Sequence, residues 1–266
     1  MAESTAKSRN TSGMRLRAGA ATEKGLGRER NEDVYVLHLA QGLFAVCDGM
    51  GGATAGDVAS RIAAATILHE VQQPEAADSA GGLDAGRYRA QSCRLAEAVR
   101  ESNRLIYTEG RQRSRCEMGT TVVSAWLQHG FASIAHVGDS RAYLWRDTHL
   151  ETLTQDHTLL EALAREGFEV SCEELQADPR DILVRVVGAE PDVEVDVVEI
   201  PVRPGDYLVL CTDGLTRVVS DATMSASISR LHHPQCICDH LVHTATCSGG
   251  TDDVTVMVVE IVDSAA

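Results

Sequence analysis

Two apolar runs of strand length each stop at a carboxylate followed by glycine: Leu43-Phe44-Ala45-Val46-Cys47-Asp48-Gly49 and Tyr207-Leu208-Val209-Leu210-Cys211-Thr212-Asp213-Gly214. Two more acidic turns stand at Gly138-Asp139 and at Gly249-Gly250-Thr251-Asp252-Asp253, the second opening another apolar run. Asp-Gly after an apolar run is a hairpin signal, so each motif alone reads as a tight turn. Their repetition argues for more, because neither Asp48 nor Asp213 is followed by an immediate return strand. Acidic turns without matching His or Cys ligands suit a hard divalent ion, magnesium or manganese, that takes oxygen ligands. Two such ions close together polarise a phosphoryl group and lower the pKa of a water between them, which is hydrolytic chemistry.

Carboxylates at strand ends need strands to carry them. Arg15 to Thr22 alternates loosely. A polar turn over residues 25–33 then leads into a strand at Val34 to Leu39, with a hairpin partner at Leu43 to Cys47. Helical spacing of Val58, Ile62, Ala65, Leu68 and Val71 predicts a long helix over 53–71, and a second is expected over 87–110. Residues 72–86 read as a loop. Strands are expected at 122–127, 131–137 and 142–145, read as an antiparallel meander, then a short helix at 159–166. After a surface excursion come strands at 193–200 and 207–211, helices at 221–231 and 235–247, and a closing strand at 254–262. The fold class is α+β: two stacked antiparallel β-sheets with helices outside.

With 24 basic and 39 acidic residues the formal net charge is −15, which disfavours nucleic acid and anionic membrane surfaces and suits a protein that gathers cations. There is no apolar run of about 18 residues and no signal-peptide core near the start, so the expectation is a cytoplasmic protein without membrane insertion. Residues 1–13 read as a mobile tail and 14–266 as a single domain. The eight cysteines are scattered, and Cys47 and Cys211 lie inside apolar runs, which fits buried free thiols better than a disulfide framework.

The chain resembles the metal-dependent Ser/Thr protein phosphatases of the 2C type, particularly their compact bacterial members. The resemblance covers nearly the whole chain. It rests on Arg28-Glu29-Arg30-Asn31-Glu32-Asp33, Asp48-Gly49-Met50-Gly51-Gly52, Met118-Gly119-Thr120-Thr121 and His136-Val137-Gly138-Asp139-Ser140-Arg141. It continues in Leu153-Thr154-Gln155-Asp156-His157, Cys211-Thr212-Asp213-Gly214-Leu215 and Gly249-Gly250-Thr251-Asp252-Asp253-Val254-Thr255. It implies a four-layer α-β-β-α sandwich with pairs of antiparallel helices outside and a binuclear site at one end, near which the charged, weakly periodic stretch around Pro179 reads as a surface flap over about 156–190. The implied activity is hydrolysis of phosphoserine and phosphothreonine in proteins by a hydroxide held between two Mn²⁺ or Mg²⁺ ions.

Carried over by position, Asp48 bridges both metals, the Gly49 carbonyl completes one, and Asp213 with Asp252 completes the other. Glu32 and Asp33 hold waters, Asp139 binds a third, weaker ion, and Arg28 grips the phosphate with its guanidinium fork. The implied partners are phosphoprotein substrates, including a Ser/Thr kinase, and the implied state is a monomer. Arg141 reads as a structural ion pair within an Asp-Ser-Arg turn, and His157 as a satisfied histidine rather than an acid. Two positions depart from the common pattern. Met50 stands where many eukaryotic relatives have His and can donate no proton to a leaving group. Asp253 stands where Asn is usual, and as an extra carboxylate it either tightens metal binding or faces solvent. Two rivals share the sequence pattern: a phosphatase for small phosphoesters, and a catalytically silent binding protein of the same fold.

Overall fold

The computed structural model describes residues 14–51, 55–74, 86–112, 118–168 and 178–264. The tail expected over 1–13 lies outside these residues. In chain order the first elements are β1 (Met14–Glu23), β2 (Asp33–His38), β3 (Leu43–Met50), α1 (Ala55–Gln72) and α2 (Ala90–Gln112). Then come β4 (Gly119–Thr120), β5 (Val122–Gln128), β6 (Phe131–Val137), β7 (Arg141–Arg146), β8 (His149–Thr152) and α3 (Leu159–Arg165). The chain closes through β9 (Asp196–Pro201), β10 (Tyr207–Cys211), α4 (Asp213–Thr216), α5 (Asp221–Leu231), α6 (Pro234–Cys247) and β11 (Val254–Asp263).

One sheet runs β1-β11-β10-β7-β8 and the other β2-β3-β5-β6-β9, with β4 paired to β3. All these pairings are antiparallel. The layering follows from strand parity. Leu43, Ala45 and Cys47 of β3 face α1 and α2, while Phe44 and Val46 face the opposite sheet. In β10, Leu208 and Leu210 enter the same middle layer, while Tyr207, Val209 and Cys211 pack toward α5 and α6. Strands buried on both faces read as unbroken apolar runs, which is why the runs before Asp48 and Asp213 do not alternate. Each fully buried aliphatic or aromatic side chain contributes about 1.5–3 kcal/mol. The middle layer therefore holds the strand ends in fixed relation. The result is the expected α-β-β-α order.

The meander does not exist as expected. β5 pairs with β6, but β7 pairs with β10 in the other sheet, so residues 138–140 form a crossover and not a hairpin. Gly138 has φ +110°, and a Cβ there would lie 2.6 Å from the Thr121 side chain. The turn thus packs on Thr121 and sends the chain across the sandwich. Short elements were also missed: β8, whose residues are mostly exposed, and α4, a single turn starting at Asp213. The strand expected from Val193 starts at Asp196. Six cysteines lie among the described residues, all free, with Cys47, Cys211 and Cys238 buried.

Candidate metal centre at one end of the sandwich

Continuing each strand's inward parity past its apolar residues leads to polar side chains at one end of the middle layer. In β2 and β3 the sequence ends this way at Asp33 and Asp48, which stand directly opposite in register and so share a face. In β11 and at the end of β10 the corresponding residues are Thr255 and Thr212. Asp33 is buried, and its Oδ2 accepts from Thr212 Oγ1 at 3.0 Å and Thr255 Oγ1 at 2.7 Å. Its Oδ1 is buried with no hydrogen-bond partner. The Asp48 N–H donates to Thr121 Oγ1 at 3.1 Å, and its C=O accepts from the Thr121 N–H at 2.9 Å.

Asp213 opens α4 directly behind β10. Its Oδ2 is held by Arg217 Nε at 2.7 Å and Nη2 at 2.5 Å, while its buried Oδ1 has no partner. Arg217 also pairs with Asp181. Asp252, ahead of β11, pairs with Arg28. Asp139 is buried in the crossover turn. Glu32 precedes β2. Its carbonyl accepts from the Gly49 N–H at 3.2 Å and from Ser60 Oγ at 2.6 Å, tying the end of β3 to α1. The approach is close: a Cβ on Gly49 would lie 2.3 Å from the Gly56 carbonyl oxygen, and one on Gly56 would lie 2.8 Å from Glu32 Oε2.

Crowding shows in the acidities. Burial, reinforced by Asp253 and Asp213, pushes the Asp33 carboxyl up to about 7 against its two threonine hydrogen bonds. Desolvation, with Asp33, Asp213, Asp252 and Asp139 around it, holds Asp48 well above the usual carboxylate range. Burial and then Asp213 raise Asp139 to about 7, and desolvation raises Asp252 and Glu32. Burial opposes the Arg28 charge, but Asp252, Asp253, Asp48 and Glu32 outweigh it.

Comparisons with known proteins show the family and the fold. The family described as Protein phosphatase 2C matches residues 28–239. The chain belongs to the protein phosphatase 2C family. It is 35% identical over 251 residues to the serine/threonine phosphatase stp of Listeria innocua, covering 92% of this chain and 96% of that protein. It is 34% identical to the serine/threonine protein phosphatase PstP of Mycobacterium tuberculosis, covering 93% of this chain and 45% of PstP. The catalytic domain of PstP, solved in complex with 2 manganese ions, superposes with a TM-score of 0.78 at 30% identity, covering 94% of this chain and 100% of that domain. This protein phosphatase 2C chain is therefore a serine/threonine protein phosphatase with the family's two-sheet, helix-flanked fold.

The residues fit a divalent-ion centre. Two buried carboxylate oxygens, on Asp33 and Asp213, lack partners, and burial together with the neighbouring carboxylates raises the pKa values of Asp33 and Asp48, so bound dications would offset a penalty already visible in the fold. A different trio is tighter. Among the described residues, only His136, His157 and Asp196 bring three ligand atoms within 4.8 Å of one another. The chemistry there opposes a metal. His157 Nδ1 accepts the Gly138 N–H at 3.0 Å and is not free for an ion, while Nε2 lies 3.2 Å from Asp196 Oδ2 and 3.0 Å from Arg185 Nη1, a cation already seated where a metal would go. Arg185 Nη1 already sits 2.7 Å from Asp196 Oδ1. The trio is a structural pin on the Asp139 turn, with His136 beside it kept neutral by burial, its pKa lowered to about 3. His157 is thus satisfied as expected. Arg141 forms an ion pair, but with Asp156 at 2.7 Å and not within its own turn. Sequence reasoning gave no role to Arg217, Thr212 or Thr255. The signal for the threonines was the inward parity of β10 and β11.

Proposed function

We propose that Asp48, the Gly49 carbonyl, Asp213 and Asp252 hold two manganese or magnesium ions, Asp48 serving both. Glu32 and Asp33 orient waters beside them, and Asp139 serves a weaker third ion. The observation that carries this reading is the pair of unpartnered buried oxygens on Asp33 and Asp213 at the strand ends that flank Asp48. When bound, such ions supply Lewis acidity at the phosphoryl oxygens and lower the pKa of a water between them.

Arg28 binds the phosphate. Its exposed guanidinium stands at the rim against Asp252, where it can turn a fork of donors toward a phosphate dianion. Met50 ends β3 and offers no proton, so protonation of the leaving oxygen falls to water or another side chain. Residues 14–266 act as one catalytic domain and the segment near 156–190 as a flap. The described part of that segment is tied to the centre through His157 and Gly138, and through Arg217 between Asp181 and Asp213.

The substrates are phosphorylated proteins, a Ser/Thr kinase among them, met by a cytoplasmic monomer that binds neither nucleic acid nor membrane. The −15 net charge supports the last two points, and no helix of the described residues is long and apolar enough to cross a membrane. Titration calorimetry with Mn²⁺ tests the centre. Two tight sites are expected in the parent chain, with loss of both in Asp48→Asn. Unaltered binding in that variant removes Asp48 from the centre. Rates on a phosphopeptide against small aryl phosphates decide the substrate class.

A further inference from the structure

Asp252 and Asp253 are adjacent carboxylates with opposite surroundings. Asp252 is partly open and pairs with Arg28. Asp253 is 2% exposed, and both of its oxygens are taken: Oδ1 accepts the Gly25 N–H at 2.9 Å and Oδ2 the Glu32 N–H at 2.8 Å. Those two donors bracket the loop that carries Arg28. The same loop is pressed onto the 250–252 backbone, since a Cβ on Gly25 would lie 2.3 Å from the Thr251 carbonyl oxygen. From Glu32 the connection continues, because its carbonyl receives the Gly49 N–H and the Ser60 hydroxyl.

The geometry points to Asp253 as a positioning residue that clamps both ends of the Gly25–Glu32 loop and thereby aims Arg28 at the phosphate, without ligating a metal itself. This rests on Arg28 being the phosphate-binding residue. Neither of the two functions expected for an extra carboxylate is needed: the side chain is neither solvent-facing nor free for an ion. Asn is usual at this position in relatives, but the donor count around Asp253 in this chain favours the carboxylate. Two N–H groups converge on two oxygens, whereas an amide offers one oxygen and an NH2 that would oppose the second N–H. A buried N–H left facing a donor loses a charge-assisted bond and its solvation together.

The test is Asp253→Asn in the full chain. Loss of one charge-assisted bond predicts that KM for a phosphopeptide and Ki for inorganic phosphate each rise about ten-fold. The turnover number and the Mn²⁺ dissociation constants should stay within about two-fold, as for any loss of uniform binding. On an Arg28→Ala background the substitution should add almost nothing to KM, because both act through one contact. Amide hydrogen exchange supplies a readout independent of turnover and of folding of the variant. In the parent chain, with and without Mn²⁺, the Gly25 and Glu32 amides should exchange far more slowly than that of Arg30, and in Asp253→Asn one or both should lose protection. Weaker Mn²⁺ binding at unchanged KM would make Asp253 a metal ligand and overturn the proposal. So would unprotected Gly25 and Glu32 amides in the parent chain, or effects of Asp253→Asn and Arg28→Ala that simply add. A chain inactive on every phosphoester but with both amides protected would instead reject the phosphatase site while leaving the clamp standing.

Discussion

Asp48 carries the heaviest burden because burial and the carboxylates around it make its charge unfavourable without a cation. Asp48→Asn removes a carboxylate whose ionised form is disfavoured by desolvation and by Asp33. The metal-free variant should therefore melt no lower than the parent by calorimetry, while Mn²⁺-dependent hydrolysis falls by at least about 10³-fold, as expected when electrostatic stabilisation of the transition state is lost. Asp213→Asn should lose activity similarly. Arg28→Ala should raise KM with a smaller change in the turnover number, since a fork that grips phosphate in ground and transition states alike contributes uniform binding. A fall confined to the turnover number in steady-state kinetics would place Arg28 at the transition state instead. The placement of Asp48 and Asp213 at strand ends was legible in the sequence, because each closes an unbroken apolar run. Arg217 was not: Asp213 and Arg217 stand at i,i+4, but the second partner, Asp181, lies 36 residues away, a pairing that local spacing does not encode.

At the scale of elements, the centre depends on how closely the end of β3 meets the start of α1. A methyl on Gly56 would stand 2.7 Å from the Gly49 carbonyl carbon. Gly56→Ala should thus push the Gly49 carbonyl away, costing about 1–3 kcal/mol of stability by overpacking. It should also weaken Mn²⁺ binding, and denaturant titration with calorimetry would show both losses together. The helices and most strands were readable from periodicity. The crossover at Gly138 was not, because a Gly-Asp-Ser turn between two apolar strands carries the same local signal whether the next strand pairs back or joins the other sheet. What decides it is the packing of Gly138 on Thr121 and the pairing of β7 with β10, both long-range. β8 was missed for a related reason: four residues, mostly exposed, give no burial pattern to read.

For the whole molecule, an acidic chain with a crowded carboxylate centre should be stabilised by divalent ions and by mild acid. Asp33 and Asp139 have folded-state pKa values near 7, raised above the unfolded value of 3.8. Between those limits the folded metal-free chain binds more protons than the unfolded one, so its stability falls as pH rises from about 4 to about 7. Other groups lose native pairings in acid, among them Asp196, which is held below the usual range by His157 and Arg185. The upper part of that window, from about pH 6 to about pH 7, is therefore where the centre's own slope should show by thermal melting. Saturating Mn²⁺ should flatten it, because the ions take the place of the protons. The four-layer architecture that makes this possible was legible from the tally of strands and helices, whereas the raised carboxyl pKa values required the three-dimensional juxtaposition of four strand ends. The measurement that bears most directly on the binuclear centre is hydrolysis of a phosphoserine or phosphothreonine peptide by the purified chain, with and without Mn²⁺ after chelation, alongside Asp48→Asn. Phosphate release that depends on Mn²⁺ and is absent in Asp48→Asn is the expected result; release that persists without the metal or in the variant would contradict a metal-dependent phosphatase centred on Asp48.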